Sequence, residues 1–201
     1  MNHSIIVRFT AGIHHSMLAL AVLTAGASYA SAQDGHSHMQ MNVNERGPSE
    51  SASAFLKVVR DSTARFKDVN VALAEGYVLQ FGCVSGSDSG AMGLHYVNGD
   101  LVNKGILDPA RPQIVIYEPM PDGSVKLIGA DYLVIAQSWH ETHPETPEMM
   151  GQLFHLFDAP NRFGLPAFYT LHVWAWKDNP NGAFVNWHPN VSCASYAGSG
   201  H

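Results

Sequence analysis

The sequence predicts an α+β fold: an N-terminal helical segment packed on a curved antiparallel sheet or small open β-barrel. Three observations predict it. One stretch with helical period precedes all the strand-like segments. Two pairs of those segments are joined by short turns rich in Pro, Asp, Asn and Gly. No strand–helix–strand alternation follows, so a parallel sheet is disfavoured.

The chain of 201 residues begins with a pattern that reads as a secretory signal. Arg8 is the only charge ahead of an apolar run at 17–27, and the small-residue box Ala30-Ser31-Ala32 follows. Residues 1–32 are therefore expected to be removed, leaving Gln33 first. The apolar run falls short of the roughly 20 residues that span a bilayer, and no later segment is long and apolar enough to do so. The formal charge of −6 becomes one unit more negative once Arg8 leaves. An acidic surface disfavours nucleic acid and anionic membrane as partners and suits cations or neutral ligands. Cys83 and Cys193 are the only cysteines. In an oxidising compartment the default reading is one disulfide; a pair of thiolate metal ligands is the alternative, weakened by the lack of a CxxC spacing.

Residues 33–50 have no hydrophobic period and read as a flexible leader ahead of one globular domain at 51–201. The leader holds His36, His38, Met39 and Met41. Imidazole beside thioether suits copper, and the alternative is a polar tail with no ligand. From 51 to 74 the period becomes helical, with Phe55, Val59, Ser62, Phe66, Val69 and Leu73 on one face. Gly76 stands where a helix-terminating glycine belongs. Asp61-Ser62 offers a cap for a second helix, so one helix or two remains open.

Strand-like segments follow at 77–83, 92–98, 113–118, 125–137, 153–157, 168–176 and 183–187. PMPDG and KDNPNG supply the two turns. Residues 138–148, SWHETHPETPE, read as a loop long enough for a lid. Its His140 and His143 are three apart, where the zinc-protease motif needs four on a helix. No GxSxG, GxGxxG or phosphate-loop motif occurs.

Chemistry concentrates in the strands. His95, His155 and His172 lie inside strand segments among aliphatic and aromatic residues, where an imidazole must find a partner. Glu118 and Asp131 lie on otherwise apolar strand faces and also need one. Along 168–176, alternation places Phe168, Thr170, His172, Trp174 and Trp176 on one face. The expected metal ligands are His95, Glu118 and His172, a set suited to a divalent ion, copper or zinc. Asp131 and His155 would orient those ligands or move protons.

The segments MGLHYVN, IYEPMPDG, LIGADYLV and LHVWAWKDNPNGAFVNWHPNVSC resemble those of a widespread family of small secreted bacterial proteins to which no activity is assigned. The resemblance covers about residues 70–193 and implies an exported, single-domain protein. It also implies a shared role for a carboxylate at 131 and a lesser one for His188.

Together these features point to an exported protein, secreted or periplasmic, that binds copper or zinc in an aromatic-lined pocket, with a small molecule beside the ion. One alternative is a metal-free binding module for a sugar or other small molecule, using Tyr96, Trp174 and Trp176. The other is a structural or interaction protein whose histidines serve the core.

Overall fold

The structure is a computed structural model that describes residues 49–198. The signal segment and leader residues His36, His38, Met39 and Met41 lie outside the described residues. The described residues fall within one compact unit, Val43–His201.

Helix α1 spans Glu50–Thr63, and the side chain of Ser49 caps it by accepting the Ala52 N–H at 3.2 Å. A 3₁₀ turn, Ala64–Lys67, leads to the short helix α2, Val69–Ala74. The break falls at Asp68, whose carboxylate accepts the Asn70 N–H, and not at Asp61-Ser62. Phe55, Val59 and Phe66 bury as the helical period predicts. Leu73 is 46% exposed because the break resets the phase of the wheel.

Eight strands follow: β1 Tyr77–Ser85, β2 Ala91–Asn98, β3 Ile114–Pro119, β4 Val125–Ile135, β5 Glu148–Met149, β6 Gln152–Leu153, β7 His155–Phe157 and β8 Phe168–Val173. Six of them form one antiparallel sheet in the order β1-β2-β3-β4-β8-β7, and β5 and β6 pair separately. The sheet is open, so the fold is the curved-sheet form of the predicted α+β class.

Four segments depart from expectation. Residues 183–187 form no strand: Trp174 N–H donates to Ala183 O, but the tail then bridges to Ala91 at the start of β2 through His188. The segment at 153–157 divides between β6 and β7. Two short helices were not expected: α3 Gly99–Lys104, and α4 Ala136–His140, which takes the last two residues of the strand expected at 125–137 and the start of the loop expected at 138–148; Asn98 caps the first through the Leu101 N–H.

Alternation divides the sheet into two faces. Tyr117, Ala130, Tyr132, Leu171 and Val173 pack toward Phe55, Val59 and Phe66 of the helical layer. Ile114, Ile116, Leu133 and Phe168 lie on the opposite face, under Phe157, Phe163 and Leu165 from the segments flanking β8. A disulfide, Cys83–Cys193, ties β1 to the C-terminal tail with a Cα–Cα distance of 5.7 Å.

Candidate metal centre

Three charged or ionisable side chains meet on the face away from the helices: His95 of β2, Asp131 of β4 and His172 of β8. Asp131 stands directly opposite His172 in the β4–β8 register. His95 is separated from His172 by β3 and β4, three inter-strand steps. In a flat sheet those steps would place the backbones about 14 Å apart. The His95 and His172 Nε2 atoms are 3.2 Å apart, so the two side chains lean toward each other over the concave side of a curved sheet. Gly93 and Gly129, each two residues before a site residue, permit the curvature. A Cβ on Gly93 would lie 2.6 Å from Tyr117 O, and one on Gly129 would lie 2.6 Å from Val173 O. Only glycine lets neighbouring backbones approach so closely.

All three side chains are buried, none more than 6% exposed. Asp131 Oδ1 accepts the Thr170 hydroxyl at 2.6 Å and the Leu171 N–H at 3.1 Å. Burial nonetheless pushes the Asp131 carboxyl up to about 6, against the pull of His95 and these hydrogen bonds. Burial, then repulsion from His172, pushes His95 down to about 4. Burial, then His155, pushes His172 down to about 3, with Asn186 working in the other direction. At neutral pH the cluster is therefore a carboxylate beside two neutral imidazoles. Among the described residues, the one ion-pair contact of Asp131 is His172, whose Nδ1 lies 3.7 Å from Oδ1.

The tautomers leave a conflict. His95 Nδ1 is 3.3 Å from Gly93 O, so it carries the hydrogen and its Nε2 presents a lone pair. If His172 donates from Nε2 to that lone pair, its bare Nδ1 faces the carboxylate. That Nδ1 is buried without a hydrogen-bond partner. If His172 holds its hydrogen on Nδ1, two lone pairs face each other across 3.2 Å. Either neutral arrangement sets one lone pair of the cluster against another, with the Asn186 side chain as the neighbouring neutral group that bears on His172. A cation between the lone pairs removes the conflict and neutralises Asp131. Metal–nitrogen bonds of about 2.0–2.1 Å in a tetrahedron give an N···N edge of about 3.3 Å, close to the separation found.

The linkage with pH has a definite sign. His172 binds its proton less well folded than unfolded. Its contribution to stability is complete above about 6.5 and is lost as pH falls toward its folded value of about 3. Over pH 4–6, the metal-free protein should gain up to about 1.4 kcal/mol per pH unit relative to His172→Gln. Denaturant unfolding of both proteins across that range measures it; parallel curves would mean that His172 is not held neutral.

The remaining predicted residues go elsewhere. The structure corrects the expected role of Glu118: its carboxylate is held by Lys177 Nζ at 2.6 and 2.8 Å and by the Ser192 N–H at 3.3 Å. The register shift between β3 and β4 adds Ile128 to β4 and leaves the alternation of β3 intact; Glu118 misses the cluster because it lies two residues past Ile116, the partner of His95, beside the C-terminal tail. Asp131 is the carboxylate that meets the histidines. His155 is exposed on β7, opposite Thr170, and near enough to weigh on His172.

Tyr96, Trp174 and Trp176 share no cleft. Trp174 is buried between His172 and His188, with ring centroids 6.0 and 4.9 Å away. Trp176 turns to the helix side, where its Nε1–H donates to Thr63 Oγ1, because an Ala175 N–H to Val173 O bond ends the alternation. Tyr96 packs on Tyr117, also on the helix side. His140 bonds Tyr169 OH and His143 O, and His143 stacks on Trp139.

Sequence reasoning missed Met92 and the role of Thr170. Thr170 was legible, being two residues before His172 on a strand. Met92 was not, because three residues separate it from His95 and a regular strand would place the two on opposite faces. Gly93, with φ +92°, breaks that alternation, and both side chains line one cavity. No protein-family model, curated protein or solved structure matches this chain.

Proposed function

We propose that this chain is an exported protein that binds one metal ion, copper or zinc, through His95, Asp131 and His172. The observation that carries this reading is the buried pair of imidazole nitrogens 3.2 Å apart beside a carboxylate that has no full cation. Export is supported by the signal-like N-terminus, by the resemblance to secreted proteins and by the disulfide. No helix among the described residues is long and apolar enough to cross a membrane. The Met92 thioether in the same cavity favours copper over zinc, because soft sulfur selects cuprous ion. The leader's His36, His38, Met39 and Met41 would be a second, weaker copper-binding segment.

The test is titration of the mature, untagged protein with copper and zinc, followed by unfolding. One buried ion is expected, and at a hundredfold excess over Kd it should add about 2.7 kcal/mol to stability. A protein that purifies without metal and whose stability ignores both ions would remove the reading. Met92→Leu should weaken cuprous binding at least tenfold and leave zinc binding within about twofold. Equal effects on the two ions would take the thioether out of the site.

A further inference from the structure

Against the three ligands lies a cavity of about 30 Å³. His95, Asp131, Thr170 and His172 contribute to its wall and bond or contact one another, and nearly all of the surface turned to the cavity is apolar. The rest of the wall is apolar, including Phe81, Met92, Phe163 and Leu165. This volume suits one water-sized group, so it can hold the head of a ligand and no more.

A second hollow of about 270 Å³ adjoins it. Phe81, Ile114, Leu133 and Leu165 line both spaces. The remaining wall of this trough is mainly Val78, Val97, Val102 and Ile135, with Gln80 and Asn103 as its polar side chains. No charged side chain lines it. The two spaces together reach the lower end of the range for small-molecule sites, about 300–1,000 Å³. Their size and lining describe a neutral body of about one ring, offering few hydrogen bonds.

The wall between them is unusual. Phe81 sits in the β1 bulge with φ +62°, a left-handed conformation that bulky residues rarely adopt. Its ring packs edge-on against Phe163 at 5.3 Å. A strained backbone is thus held where the cavity and the trough meet, as at sites where a ligand passes or is clamped.

We propose that the metal centre takes a small, neutral, apolar molecule ending in one lone-pair donor, with the donor on the metal and the apolar body in the trough. The proposal rests on the metal reading above. It adds the class of ligand, and it differs from a sugar site, which would need many more polar partners than Gln80 and Asn103 supply.

The experiment uses the metal-loaded mature protein and two probes with the same narrow donor, acetonitrile and phenylacetonitrile, followed by calorimetry. Burial of the phenyl ring should make phenylacetonitrile bind at least tenfold tighter. Val78→Asp, at a position 47% exposed and outside the ligand set, should erase most of that preference and leave acetonitrile affinity unchanged. Equal affinity for the two probes with metal in place would overturn the ligand class and leave the metal reading standing. A preference that survives Val78→Asp would also overturn it. A protein that takes up no metal overturns both.

Discussion

Asp131→Asn is expected to raise the stability of the metal-free protein and to weaken metal binding at least a hundredfold. The two effects have opposite signs for one reason. Without metal, the carboxylate is a buried negative charge opposed only by neutral imidazoles. Its displacement from 3.8 to about 6 corresponds to about 3 kcal/mol of unfavourable burial at neutral pH, an upper limit on the gain. Asn keeps an oxygen for the Thr170 hydroxyl and the Leu171 N–H, the bonds that hold the side chain in place. With metal, the same charge is the one anionic ligand of the site. Changes to groups that merely orient ligands commonly cost tenfold to a hundredfold in affinity, and loss of an anionic ligand costs more.

Parallel unfolding and metal titration of wild type and variant measure both signs. A purely structural cluster gives a different result, because Asn then destabilises the protein and metal changes nothing. His95→Gln and His172→Gln should weaken metal binding alike.

Much of this architecture was legible because it follows from local rules. The helical period over residues 51–74, the PMPDG turn and the alternation within β4 and β8 each depend on neighbours a few positions away. They placed Asp131 and His172 on strand faces, and strand alternation placed Thr170 beside His172. What escaped depends on distant groups. Choosing between Glu118 and Asp131 required knowing that Lys177, 59 residues away, takes Glu118. It also required the register of β2 on β3, which sets His95 opposite Ile116 and leaves Glu118 two residues farther along. The meeting of His95 with His172 depends on curvature, set where Gly93 and Gly129 admit carbonyls from other strands. The side on which Trp176 lands depends on one short turn at Ala175. Residues 183–187 have strand-like composition but bond to Trp174, and His188 just beyond them bridges to Ala91, leaving no partner strand.

Replacing both Cys83 and Cys193 with Ser should lower stability by about 4–5 kcal/mol, the chain-entropy value for a loop of 110 residues. For a chain of this size, a loss of that order corresponds to a fall in Tm of about 10–20 °C. The bond closes residues 83–193 of the described 49–198 into one loop, so its removal acts chiefly on the unfolded chain. Locally the tail has other anchors. His188 exchanges backbone hydrogen bonds with Ala91, Trp174 Nε1–H donates to Val185 O, and Glu118 accepts the Ser192 N–H. These hold Asn186 and His188 near the metal centre without the sulfur bridge. Metal affinity of the double variant at 25 °C should therefore stay within about threefold of wild type, even as the melting temperature falls. A matching loss of affinity would mean that the bridge, and not the backbone contacts around His188, keeps the tail against the site. An unchanged Tm would mean that the tail's own packing already restricts the unfolded chain as much as the bond does.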